Sequence, residues 1–99
     1  MPRKRKPTHP GAILREDVLP VLGLTQGDLA MRLGVSRRTV SEIVHERRPV
    51  TPDMALRLAR LLGGTPESWL NMQRALDLWE LERERVDAYA RIRPVSTPA

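Results

Sequence analysis

Apolar residues recur at helical spacing in five separate stretches of this chain, and each stretch is bounded by residues that start or stop a helix. Ile13, Leu14 and Val18 share one face of a first helix that begins near Pro10 or Gly11. It is expected to end at about Leu19, because proline disfavours the helical conformation in the residue before it, and Pro20 follows. Leu29, Ala30 and Leu33 form the stripe of a second helix, with Thr25 as its N-cap. Gly34 stops that helix by taking the left-handed conformation without strain. Ser36 caps a third, with Val40, Ile43 and Val44 on its apolar side. Thr51, Pro52 and Asp53 supply cap, first-turn proline and first-turn acid for a fourth, striped by Met54, Leu58, Leu61 and Leu62 and ended by Gly63-Gly64. Thr65-Pro66-Glu67 repeats that signal before Trp69, Leu70, Met72, Leu76 and Trp79. Nothing interrupts this last helix before Pro94, so it is expected to reach about Ile92, packing firmly to about Leu81.

The second and third helices, joined by the short turn at Gly34, form a helix-turn-helix. Ala30 supports this, because a small side chain in mid-helix lets a second helix cross closely. The expected fold is all-α: a five-helix domain with a long C-terminal helix. Residues 1–9 read as a flexible basic arm, 10–82 as the DNA-binding domain, 83–93 as a helical extension and 94–99 as a tail.

Composition narrows the class. Ninety-nine residues suit one small domain, and an apolar set of Leu, Val, Ala and Met with no Phe favours helices over a β-sandwich. The absence of cysteine removes disulfides and thiolate metal sites and fits a reducing cytoplasm. No apolar run approaches the ~20 residues of a membrane span. No nucleophile, carboxylate pair or metal-ligand cluster stands out, so no enzyme, cofactor, metal or small-molecule substrate is expected. His9 and His45 have no partner at catalytic or metal spacing, and His9 is expected to cap or pack on the first helix.

The net charge of +5 is unevenly spread. Through residue 60 there are 12 basic and 6 acidic side chains, and beyond it 5 basic and 6 acidic. The positive field therefore belongs to the half with the helix-turn-helix, as phosphate binding requires. With Val40 and Ile43 buried, Arg38, Ser41, Glu42 and His45 point away from the core, and Arg37 and Thr39 flank the helix start. Arg37, Arg38, Thr39, Ser41 and Glu42 are the candidate base readers, since arginine can donate twice to guanine and glutamate can accept from cytosine. Arg38 and Glu42, four residues apart, can equally form a surface ion pair. Gln26, at a helix N-terminus, and Ser36, Arg47 and Arg48 are assigned to phosphates. Trp69, Met72, Leu76, Trp79 and Leu81 exceed what one small core needs and are the candidate homodimer interface.

Residues 9–78 resemble HigA-type antitoxins of the Xre-like helix-turn-helix group, which also contains phage repressors. Four blocks carry the likeness in order: HPG at 9–11, SEIV at 41–44, ALRLA at 55–59 and WLNMQ at 69–73. The resemblance implies a λ-repressor-like five-helix domain that dimerises and represses its own operon from a palindromic operator in double-stranded DNA. It also implies a protein partner, a HigB toxin, which is a RelE-like ribonuclease cutting messenger RNA. Its DNA contacts carry over to Gln26, Ser36 through Thr39, and Ser41. The chain departs from the pattern after the third helix, where His45-Glu46-Arg47-Arg48 stands in place of a usual glycine, so that helix is expected to run longer. The alternatives are a stand-alone regulator without a toxin and a helical protein-interaction module that does not bind DNA.

Overall fold

A computed structural model describes residues 5–96. The expectations for Pro2 to Lys4 of the arm and for residues 97–99 of the tail fall outside the described residues. Six helices follow one another without a strand among the described residues. They are α1 (Pro10–Ile13, Leu14–Val18 and Leu19–Leu22, contiguous), α2 (Gln26–Leu33), α3 (Arg37–Val44), α4 (Pro52–Leu62), α5 (Pro66–Glu84) and α6 (Val86–Ala90).

Local chemistry sets the starts of these helices. Thr25, Ser36, Thr51 and Thr65 each take extended backbone and accept, through the side chain, the N–H three residues on. At α2 the exchange is reciprocal: Asp28 N–H donates to Thr25 Oγ1 and Thr25 N–H to Asp28 Oδ2, both at 3.0 Å. Hydrogen bonding with Thr25, through its backbone first and its side chain second, holds the Asp28 carboxyl below its usual range. His9 caps α1 in the same way, its Nδ1 accepting from Gly11 N–H at 2.8 Å.

Pro20 does not end α1. The turn Leu14–Val18 is widened to π-helical geometry, with Leu19 N–H donating to Leu14 O, and the helix continues to Leu22 before Gly23 closes it at φ 66°. The wider turn accommodates both problems proline brings, a missing N–H and a ring that would collide with the carbonyl four residues back. Buried Leu19 holds the continuation against the core.

One apolar core joins five helices and the loop before α4. Leu14 and Leu19 meet Leu29, Ala30 and Leu33 of α2, Val40, Ile43 and Val44 of α3, Val50, Met54, Ala55 and Leu58, and Trp69 of α5. Each large aliphatic side chain buried there contributes about 1.5–3 kcal/mol. Gly11 lets α1 reach this assembly, because a Cβ at that position would lie 1.8 Å from the carbonyl oxygen of Ile43. Gln73 ties α5 to the loop before α4: its Oε1 accepts from Val50 N–H at 2.9 Å and its Nε2 donates to Asp77 at 2.9 Å.

The third helix does not run long. α3 stops at Val44, and Glu46 takes φ 62°, the one left-handed non-glycine among the described residues. Glu46 N–H donates to Ile43 O at 2.9 Å and Arg47 N–H to Glu42 O at 2.8 Å, the paired bonds of a Schellman end. A left-handed residue with a Cβ costs about 1–2 kcal/mol. Arg15 of α1 stabilises the arrangement, donating through Nη1 to Val44 O and pairing with Glu46 at 3.2 Å.

The last helix also stops early. α5 ends at Glu84, Arg85 breaks the run at φ −120°, and α6 is a separate short helix ending at Ala90 rather than near Ile92. None of residues 82–96 is buried, so no packing holds the longer helix that the composition would permit.

Candidate nucleic-acid interface

The interface is built on the N-terminal half of α3. Buried Ala30 gives α3 room to cross α2, and Val40, Ile43 and Val44 bury the opposite side of α3. Gly34, at φ 73°, makes the turn between the two helices. Arg57 of α4 fixes that turn, its Nη1 donating to Leu33 O at 2.9 Å while its Nε pairs with Asp53 at 2.8 Å. Both α2 and α3 are therefore clamped at their C-terminal ends by arginines from other helices, Arg57 and Arg15. The N-terminus of α3 is left facing outward.

Around that end, Arg37 and Arg38 are exposed, while Thr39, Ser41 and Glu42 are half-buried on the same side. Ser36 and Thr39 are partly engaged in the cap: Ser36 Oγ accepts Thr39 N–H at 3.1 Å and lies 2.8 Å from Thr39 Oγ1. Glu42 is the centre of a small ionic cluster. Its Oε1 receives Arg38 Nε at 3.3 Å and Arg48 Nη2 at 2.9 Å. The ion pair foreseen between residues 38 and 42 is thus present, with Arg48 as an additional partner. His45 turns back along its own helix, Nδ1 donating to Ser41 O at 2.7 Å. Arg37 and Arg47 are exposed and have no ion pair among the described residues. Gln26 opens α2, half-buried beside the capped Thr25.

This surface gathers the nine residues expected to touch DNA at the start of α2, along α3 and in the loop after it. A guanidinium pair at the helix start, two capped N-termini and two further arginines past the helix give this surface the positive charge that a polyanion ligand requires. Among the described residues no group of three or more His, Cys, Asp or Glu side chains is disposed to hold a metal. No helix among them is long and apolar enough to cross a membrane.

The five residues expected at a homodimer interface separate by burial. Trp69 and Leu76 are 8% and 3% exposed and are used within the subunit, whereas Met72, Trp79 and Leu81 are half-buried. Trp79 also carries two cations over its ring, Arg83 at 3.8 Å and Lys6 at 5.9 Å from the centroid. Lys6 of the basic arm therefore lies against α5. Leu78, 51% exposed, escaped the apolar stripe because it sits off the 69–72–76–79 spacing. Arg15, Arg57, Gly11 and Gln73, which hold the interface in position, also escaped sequence reasoning. Gly11, Arg57 and Gln73 fall within the HPG, ALRLA and WLNMQ blocks, and Arg15 falls in none.

The Helix-turn-helix family model matches residues 22–70. An HTH-type transcriptional regulator of Haemophilus influenzae is 47% identical over 82% of this chain and 76% of its own. Antitoxin HigA-1 of Vibrio cholerae serotype O1 is 37% identical over 93% of this chain and 87% of its own. The solved structure of antitoxin GraA in complex with its operator superposes with a TM-score of 0.87, at 40% identity, covering 98% of this chain and 99% of that one.

Proposed function

We propose, for a chain that belongs to the Xre-type helix-turn-helix family of HigA- and GraA-like DNA-binding antitoxins and regulators, that it is the antitoxin of a type II toxin–antitoxin pair. In this reading it neutralises a HigB/RelE-like ribonuclease and, as a dimer in the cytoplasm, represses its own operon from a palindromic operator. The domain that does so spans residues 10–82, with the basic arm before it and the extension 83–93 and tail after it.

The observation that carries the DNA half is the outward N-terminal end of α3. Arg37 and Arg38 are exposed there on a helix whose opposite side is wholly buried. Arg37, Arg38, Thr39, Ser41 and Glu42 face base edges, and Gln26, Ser36, Arg47 and Arg48 face phosphates. Glu42 offers a base its second carboxylate oxygen, since both arginines bond Oε1. For the dimer, burial of Trp69 and Leu76 shifts the contact to the C-terminal half of α5, around Leu78, Trp79 and Leu81. The likeness to an operator-bound antitoxin and to HigA-1 supports the toxin partner.

Footprinting on the DNA of the native operon, combined with co-purification of the product of the adjoining reading frame, tests both halves. A protected palindrome and a co-purifying small basic protein are expected. The similarity to an HTH-type regulator favours a second reading, a stand-alone regulator, which predicts the footprint without the partner. DNA affinity that does not change with salt would leave only the protein-interaction module.

A further inference from the structure

Away from α2 and α3 the surface carries an open apolar groove of about 400 Å³, walled by Val18, Val21 and Leu22 of α1, Leu62 at the end of α4, and Trp69 and Met72 of α5. Val21 is 81% exposed and Leu22 51%. Contiguous exposed apolar surface of this kind on a small domain marks a contact site. Its charge runs against that of the chain. No Lys or Arg among the described residues lines it, whereas Asp17 does, with Ser68 as its other polar side chain. Exposed Glu16 and Glu67 stand in the adjoining turns of α1 and α5, and Glu16 has only a 3.9 Å contact with Arg15. Arg15 itself is committed to Val44 and Glu46. A second groove, between α2 and α4, has the opposite character, with Arg32, Arg57 and Arg60 among its lining.

We infer that the α1–α4–α5 groove is the docking site for a basic partner protein, the ribonuclease toxin of the proposed function, on which this inference rests. A protein that acts on RNA carries a positive surface, because its substrate is a polyanion. An apolar floor with an acidic rim fits a basic segment that bears apolar anchors, and the arginine-lined groove repels one. The groove takes no residue from α2 or α3, so the partner docks while α3 stays free for DNA. It also lies on the N-terminal half of α5, leaving Leu78, Trp79 and Leu81 for a second copy.

Titration of the full chain with the purified product of the adjoining reading frame tests the inference, with Val21→Lys and Asp17→Lys as the variants. Both positions are exposed, so melting temperature and operator affinity are expected to match those of the unaltered chain. Affinity for the toxin is expected to fall by about tenfold or more, mainly through faster dissociation. Leu56→Lys in the arginine-lined groove is the control and should leave toxin binding unchanged. Equal toxin binding by the unaltered chain and both groove variants would overturn the docking site while leaving the antitoxin reading intact. No binding by the unaltered chain would overturn that reading and the inference with it. A shift from dimer to monomer in Val21→Lys without toxin, seen by light scattering, would instead make the groove a homodimer face.

Discussion

Arg48 reaches back over the end of α3 to place its Nη2 2.9 Å from Glu42 Oε1, the oxygen that also receives Arg38 at 3.3 Å. Glu42 is thus an internal counterion for two of the arginines proposed to face DNA. Glu42→Gln keeps the side chain's shape and removes its charge, so both arginines become available to phosphate. Affinity for random DNA is expected to rise several-fold. The plot of log affinity against log salt should steepen by about 0.9 for each phosphate gained. Fluorescence anisotropy on operator and random duplexes over a salt series measures both. Loss of operator affinity confined to one base pair, with random DNA unaffected, would show that Glu42 reads a base.

Arg38→Ala should weaken operator binding by about 1–3 kcal/mol and relax sequence preference, as expected for a side chain bidentate to a base. Equal losses on operator and random DNA in the same assay would reduce Arg38 to a phosphate contact.

Gly11→Ala drives a methyl group to within 1.8 Å of a backbone oxygen, that of Ile43, which has no rotamer to escape into. A destabilisation of about 3 kcal/mol, the upper end of the usual overpacking cost, is expected in urea unfolding. A loss below about 1 kcal/mol would mean that α1 can slide along α3.

Acidification should loosen the start of α1. Burial holds the His9 imidazole below its ordinary pKa, against the raising influence of Glu46, the Arg48 backbone, Asp77 and Glu80. The unfolded chain therefore binds the proton more readily than the folded one. The stabilisation is complete above about pH 6.5, the unfolded value, and is lost as pH falls below it towards the folded pKa. His9→Asn keeps a capping acceptor and removes the titration, so its melting temperature should vary less between pH 7 and 5. Identical pH profiles for both proteins would assign the acid sensitivity to other groups. Asp28, whose carboxyl is also held low, acts only in the carboxylate range further down.

Gln73→Leu removes the acceptor of the buried Val50 N–H. Leaving that donor unsatisfied costs about 1–3 kcal/mol, read from the urea midpoint. Because this bond fixes the loop that leads from Arg47 and Arg48 to α4, operator affinity should fall as well. Stability and affinity both unchanged would show that the loop is held elsewhere.

Where the determinant of a feature lies within four residues of it, the sequence was readable. Thr25, Ser36, Thr51 and Thr65 announce their helices because each cap bonds to an N–H three positions on. The outward face of α3 followed from Val40 and Ile43 alone. The misread features depend on distant partners. α1 crosses Pro20 because its far end has Leu19 to bury, and Glu46 replaces a glycine because Arg15, 31 residues earlier, meets it. Arg57 reaches Leu33 across 24 residues and Gln73 reaches Val50 across 23. The same holds for the site: the outward positions of α3 were legible from periodicity, but Arg48 on Glu42 was not, since it requires the chain to turn back at Glu46.

The contact of Gly11 with Ile43 involves no side chain of its own: a bare α-carbon meets a carbonyl oxygen. Together with Arg15 on the carbonyl of Val44, it anchors the recognition helix by its backbone. Neither anchor depends on what residues 37, 38, 41 and 42 are. The outward residues of α3 are therefore separable from its scaffold, and a new set can be written onto the helix without redesigning the frame that presents them.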